Sequence, residues 1–405
     1  MNVLCMLGSD NSIYGHRMKK KFYLGSGFTN FNHGSFGTVP REVKAAQNAR
    51  FEEAEEHLDK WFRVTYYKYQ DQAREAVASL INGQVEDVVL VENVSTAINA
   101  ILRSLPWKKG DKVLVLSTVY SMVTNVLQWY VVTHGIEIVK VMIDFPVVDK
   151  RQILEAVGAA VVAHDNIKIC VFSHVTSLPS LILPVEELVA EVKSSEKNKD
   201  ALVLIDGAHA PGLVDINIER IGADYYTGNL HKWCFCPKGC AFMWVSKHCQ
   251  DYKDLQPTVI SSTGYNDYVG RFAYTGTRDY TAFATITAAF AFIRSLGGHK
   301  AIFEYNNELI LEGAQLCART WGTEMLAPKG MIASMADVIL PTTDEAKVRA
   351  LEADMQSKYN TFMIARDWKL ADGRTVWITR LSAQIYLEKS DFEKLAVRVM
   401  EMLSR

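Results

Sequence analysis

Ala201-Leu202-Val203-Leu204-Ile205-Asp206-Gly207-Ala208-His209-Ala210-Pro211-Gly212 is the stretch that decides the fold. A continuous apolar run rich in branched side chains reads as a strand covered on both faces, and it ends abruptly at a carboxylate. Similar runs occupy residues 113–116, 137–141, 167–172 and 241–245. Segments of helical period separate them, such as 96–105, where Ile98, Ile101, Leu102 and Leu105 form one apolar stripe. Strands alternating with helices over residues 80–245 predict an α/β core with a mostly parallel sheet.

Working outward, residues 281–296 read as a helix with Ile286, Phe290 and Ile293 on one face, stopped by Gly297-Gly298. Beyond it, helices at 345–358 and 390–403 and strands near 337–340 and 375–379 read as a smaller α+β unit. The expected division is an N-terminal segment 1–40, a large domain 41–297 and a small C-terminal domain 298–405. The polar run 193–200 reads as a solvated loop.

A chain of 405 residues with 49% hydrophobic content buries a core larger than one ordinary domain needs. With 44 basic against 46 acidic residues and no basic stripe, nucleic acid is not an expected partner. No stretch reaches the roughly 18 apolar residues of a membrane span. The short apolar run at 3–7 precedes its basic cluster, the reverse of a secretory signal. The seven cysteines are odd in number and unevenly spaced, which fits a reducing, cytoplasmic compartment. Cys234, Cys236 and Cys240 lack paired spacing, so no metal is expected.

Four features carry chemistry. Asp206 stands at a strand end, where ligands of open α/β sheets collect, although an aspartate there also caps turns. His209 follows three residues later, to meet a ligand or to cap the turn. Lys232 lies in Tyr226-Thr227-Gly228-Asn229-Leu230-His231-Lys232-Trp233, before the turn Pro237-Lys238-Gly239; alone it would read as a solvated lysine. Asn93-Val94-Ser95-Thr96 opens a helix whose free N–H groups and dipole attract an anion, with Ser95 able to add its hydroxyl. Tyr120 follows the strand at 113–116, where its ring can lie on a flat ligand. An amine, a buried acid, an anion cradle and an aromatic face are what pyridoxal 5′-phosphate (PLP) asks of a protein.

The order Ser95, Tyr120, Asp206, His209, Lys232 resembles the class V group of fold-type I PLP enzymes over nearly the whole chain. Phe31-Asn32-His33-Gly34-Ser35-Phe36-Gly37-Thr38, Ser117-Thr118-Val119-Tyr120, Asp206 to Gly212 and Tyr274-Thr275-Gly276-Thr277-Arg278-Asp279 are similar to the branch containing isopenicillin N epimerase, the fungal loline-biosynthesis enzyme and the ergothioneine-pathway C–S lyase.

The resemblance implies Lys232 as the Schiff-base lysine, Asp206 at the pyridine nitrogen and His209 at the phenolic oxygen. It places Ser95, the backbone of Val94, Thr227 and His231 at the phosphate. Arg380, in Trp377-Ile378-Thr379-Arg380-Leu381-Ser382, would hold the substrate carboxylate through its planar fork, helped by Asn32 from the N-terminal segment. A homodimer with shared sites is implied, Gly276 and Thr277 completing the neighbour's phosphate site.

Two departures stand out: Ser121-Met122 replaces the usual Gly-Ala after Tyr120, and no cysteine loop follows Arg380, which disfavours persulfide chemistry. The expected activity is biosynthetic work on an amino acid, as C–S lysis with Tyr120 as proton donor or as loline-type bond formation. Epimerisation and then transamination follow as alternatives. Intact Lys232, Asp206 and Arg380 argue against a non-enzymatic scaffold.

Overall fold

The computed structural model describes residues 13–251, 253–262 and 267–403. The apolar run at 3–7 lies outside them. Seven strands form the large sheet: β1 (Val88–Val91), β2 (Lys112–Leu116), β3 (Glu137–Val141), β4 (Ile167–Ser173), β5 (Leu202–Asp206), β6 (Tyr225–Asn229) and β7 (Ala241–Val245). Their spatial order is β1-β7-β6-β5-β4-β2-β3. β7 runs antiparallel to both neighbours, and every other pairing is parallel. β1, β4, β5 and β6 are almost wholly buried; β4 and β5 accordingly read as apolar runs rather than alternations, whereas β6 carries Thr227, Gly228 and Asn229 into the interior.

The C-terminal unit carries β8 (Met335–Ile339), β9 (Ile364–Lys369) and β10 (Thr375–Ser382), with β10 antiparallel to both of the others. Helices Glu345–Tyr359 and Lys389–Leu403 accompany it as expected. Gly297-Gly298 does stop the preceding helix, which is α-helical over Ile286–Ser295, but the stop is only a hinge. Gly297 takes φ +95, and a long helix, Gly298–Trp321, starts at once. That helix packs on Lys389–Leu403, where Trp321 Nε1 donates to the Ala396 carbonyl at 3.1 Å. The 193–200 run is less solvated than its composition implies. Asn198 is buried, and its side chain ties together Ile167 N–H and the Val161 and His164 carbonyls.

The N-terminal segment bridges the two sheets. Thr29–Asn30 pairs in parallel with Thr361–Phe362, and Phe31 O accepts from Ser382 N at 2.8 Å. A single helical turn, His33–Phe36, then leads to Gly37 at φ +65. A Cβ there would lie 2.0 Å from the His231 carbonyl oxygen and 2.9 Å from Lys232 Cα. Only glycine lets this segment press against the backbone that carries Lys232. Among the described residues, no helix is long and apolar enough to cross a membrane.

Candidate active site

The parallel strands deliver their C-terminal ends to one cavity of about 290 Å³. Ser173 comes from the end of β4, Asp206 from the end of β5 and Asn229 from the end of β6, with His231 and Lys232 in the following turn. Val94 and Ser95 enter from the start of helix Val94–Ser104, Tyr120 and Met122 from the start of helix Ser121–His134. Ser35 and Phe36 close one side.

Lys232 Nζ lies 3.0 Å from His209 Nε2. Burial pulls the amine down to about 7; Asp206 opposes that shift and Arg380 adds to it. Burial also raises Asp206, against the Ala208 N–H and Lys232. One carboxylate oxygen of Asp206 accepts the Ala208 N–H at 2.9 Å. The other remains for a cation presented from the cavity. His209 is buried and driven well below its ordinary value by desolvation and by Lys232. His231 is held down to about 4 by burial, with Nδ1 3.1 Å from the Cys240 carbonyl.

At the helix start, Asn93 Oδ1 accepts Thr96 N–H at 2.9 Å, the Asn93 carbonyl accepts Ala97 N–H at 3.2 Å, and Asn229 Oδ1 accepts Val94 N–H at 3.1 Å. Ser95 N–H is thus the first-turn donor left for an anion, beside its own hydroxyl. Val94 lines the cavity, but its N–H is taken. Thr227 departs from expectation: it is fully buried, its hydroxyl donates to the Phe242 carbonyl at 2.7 Å, and it does not reach the cavity wall. Asn229, two residues on and at the strand's end, stands there instead.

Arg380 is buried behind the wall. One Nη donates to the Ser177 carbonyl at 2.8 Å and its hydroxyl at 3.0 Å; the other donates to Asn32 Oδ1 at 2.6 Å and Ser35 Oγ at 2.8 Å. Every acceptor is neutral, and Nε has none. The acidic group acting on this desolvated guanidinium from the next strand is Asp337, which makes no hydrogen bond to it, so its fork has the chemistry to exchange neutral acceptors for a carboxylate. Asn32 therefore acts on Arg380 itself. Gly276 and Thr277 do not line this chain's cavity; Thr277 faces a separate surface hollow with Phe62, Arg63 and Tyr274.

Sequence reasoning did not single out Ser173, Ser177, Asn229 or Ser35 for roles at the site. Ser173 follows a buried apolar run directly, with Ser177 four residues on, so the strand-end rule that picked Asp206 would have found the first and pointed to the loop of the second. The wall suits PLP: a near-neutral buried amine, a buried carboxylate with a spare oxygen, and an unpaired helix-start N–H.

The Aminotransferase class-V family matches residues 42–338. The chain belongs to that family. Among relatives of class-V members like this one, a probable chloroplastic L-cysteine desulfhydrase of Arabidopsis thaliana is 31% identical over 91% of this chain and 81% of its own length. The hercynylcysteine sulfoxide lyase of Schizosaccharomyces pombe is 26% identical over 98% of this chain and 100% of its own length. The cystine C–S lyase C-DES, solved with its product cysteine persulfide, superposes with a TM-score of 0.74 at 18% identity, covering 92% of this chain and 97% of its own. The fold is fold type I, and this class-V chain is a PLP-dependent enzyme.

Proposed function

We propose that this enzyme is a C–S lyase that cleaves the Cβ–S bond of a cysteine-type amino acid, with Lys232 as its cofactor lysine. The observation that carries the reading is a buried, near-neutral Lys232 amine in a cavity backed by an Arg380 guanidinium that has only neutral partners. The names of the relatives support sulfur as the leaving atom.

PLP bound at this wall supplies an electron sink for charge released at the substrate's Cα. The chain's own residues do the rest. Arg380 fixes the substrate carboxylate by exchanging its neutral acceptors for an anionic one. Lys232 Nζ, which burial lowers far enough for the unprotonated amine to be populated near neutrality, takes the Cα proton. The Tyr120 hydroxyl, half exposed on the wall, protonates the departing sulfur. Asp206 would keep the pyridine nitrogen protonated, and Ser95, with His231 beside it, would hold the phosphate. Sulfur leaves as a free thiol or sulfide: no cysteine follows residue 317 in the chain, so none is available after Arg380 to accept it.

A homodimer fits this reading, because Gly276 and Thr277 sit away from their own cavity and would reach a neighbour's. The six described cysteines are all free and buried, in keeping with a cytoplasmic location.

The test is incubation of the PLP-loaded protein with S-substituted cysteines, their sulfoxides and common amino acids in heavy water, read by mass spectrometry. Pyruvate with a released sulfur fragment is expected. Cα deuterium in otherwise unchanged amino acid, without pyruvate, would replace lysis with epimerisation or bond formation.

A further inference from the structure

Resting on Lys232 as the cofactor lysine, we propose that Trp233 is a positioning residue. Its indole N–H fixes His209 as the Nε2–H tautomer, so that a proton donor, not an acceptor, faces Lys232 and the cofactor's phenolic oxygen.

The logic is one of hydrogen-bond inventory. Trp233 Nε1 lies 3.3 Å from His209 Nδ1, and Lys232 Nζ lies 3.0 Å from His209 Nε2. An indole nitrogen is a donor and never an acceptor. Nδ1 must therefore present its lone pair, which leaves the ring proton of a neutral imidazole on Nε2. Desolvation and the adjacent Lys232 keep His209 neutral, so no second proton reaches Nδ1. In the cofactor-free chain, Nε2–H can then donate to Lys232 only if the amine carries its lone pair, which is the nucleophilic form.

The indole is not free to turn away. The His33 ring packs on it with centroids 4.9 Å apart, and Gly34 approaches it so closely that a Cβ there would stand 3.2 Å from the indole Cζ2, while Gly212 packs on the Trp233 backbone, where a Cβ would stand 3.0 Å from the carbonyl oxygen. His33 is itself pinned to the Lys232 carbonyl at 2.8 Å and to the Tyr386 hydroxyl at 2.9 Å. The N-terminal segment thus sets the indole, the indole sets the imidazole, and the imidazole sets the proton at the reacting nitrogen.

The experiment is a pH titration of the visible absorbance band of the PLP-loaded protein in four forms: wild type, Trp233→Phe, His209→Gln and the double variant. A donor on the phenolic oxygen stabilises its charge once the proton shared with the lysine nitrogen has gone. Losing a correctly aimed donor should therefore raise the titration midpoint. Trp233→Phe is expected to raise it by about one pH unit, a tenfold change in proton affinity, as for the loss of one hydrogen bond to a charged group. A glutamine amide donates without any tautomer to fix, so Trp233→Phe should leave the midpoint where His209→Gln alone puts it.

An unchanged midpoint in Trp233→Phe, or an equal shift in both backgrounds, overturns the proposal and leaves the cofactor assignment standing. Absence of a visible band in the wild type removes the cofactor assignment, and this proposal with it. Should Trp233→Phe fold poorly, nitrogen-15 labelling of histidine in the wild type decides instead, with His209→Gln identifying the signal. A pyridine-type Nδ1 is expected, and a pyrrole-type Nδ1 overturns the assignment.

Discussion

Arg380 and Asp337 stand directly opposite each other across two antiparallel strands without a hydrogen bond between them, and Arg380 Nε and Asp337 Oδ1 are both buried and unpartnered. Burial pushes Asp337 from the ordinary 3.8 up to about 7, against the Ser180 N–H and Arg380. A raised carboxyl stabilises the fold while protonated. That contribution is complete below about pH 4 and is lost as pH rises through 7. Asp337→Asn keeps an acceptor for Ser180 and cannot titrate. Relative to it, the wild type should lose about 1.4 kcal/mol of stability per pH unit between those limits, read from urea unfolding; parallel pH profiles would refute the assignment.

Arg380→Lys keeps the charge and loses the fork. We expect kcat/KM to fall about a hundredfold, the ~3 kcal/mol scale of charged hydrogen bonds, mainly through KM. The visible band of the bound cofactor should stay in place. Loss of the band together with activity would instead put Arg380 at the cofactor.

Tyr120→Phe should discriminate by leaving group. Removing a general acid costs on the order of 10²- to 10⁴-fold where the departing sulfur is a poor leaving group and needs a proton. A substrate whose leaving group departs as a stable anion, such as β-chloroalanine, should be eliminated at close to the wild-type rate. Equal losses on both would make Tyr120 a wall residue and not a proton donor.

Gly37→Ala must place a methyl group against the His231 carbonyl in a backbone conformation that side chains rarely adopt. At least ~3 kcal/mol of destabilisation is expected, with weakened PLP retention because the displaced backbone carries Lys232. Calorimetry and cofactor content after dialysis check this; an unchanged melting temperature with full retention would contradict the close packing described.

Much of this was readable before the structure, and the reasons are physical. Strands buried on both faces announce themselves as apolar runs, so β2, β4, β5 and β7 were legible and the end of β5 pointed to Asp206; β3, an edge strand with Glu137 and Lys140 exposed, was legible from its branched residues Ile138, Val139 and Val141 instead. β1 was harder: Val88 to Val91 is a four-residue run closing a polar loop. Helix Gly298–Trp321 was hidden because paired glycines normally end helices, and here they only turn the chain into the next one.

Thr227 and Asn229 share one strand face by the two-residue period. Sequence offers no measure of how far a strand's last turn projects, so the shorter reach of Thr227 and its engagement with Phe242 could not be foreseen. The neutral cage around Arg380 was equally invisible, since Asn32 and Ser35, Ser177, and Arg380 come from three distant stretches of the chain and meet only because the N-terminal segment crosses between the sheets.

Everything proposed for the cavity depends on Lys232 being the residue that captures PLP. The direct measurement is borohydride reduction of the PLP-loaded protein, followed by proteolysis and mass spectrometry of the pyridoxyl-modified peptide. Modification is expected at Lys232, stoichiometric with chain and absent from Lys232→Ala. Modification spread over exposed lysines, or persisting undiminished in Lys232→Ala, would contradict it.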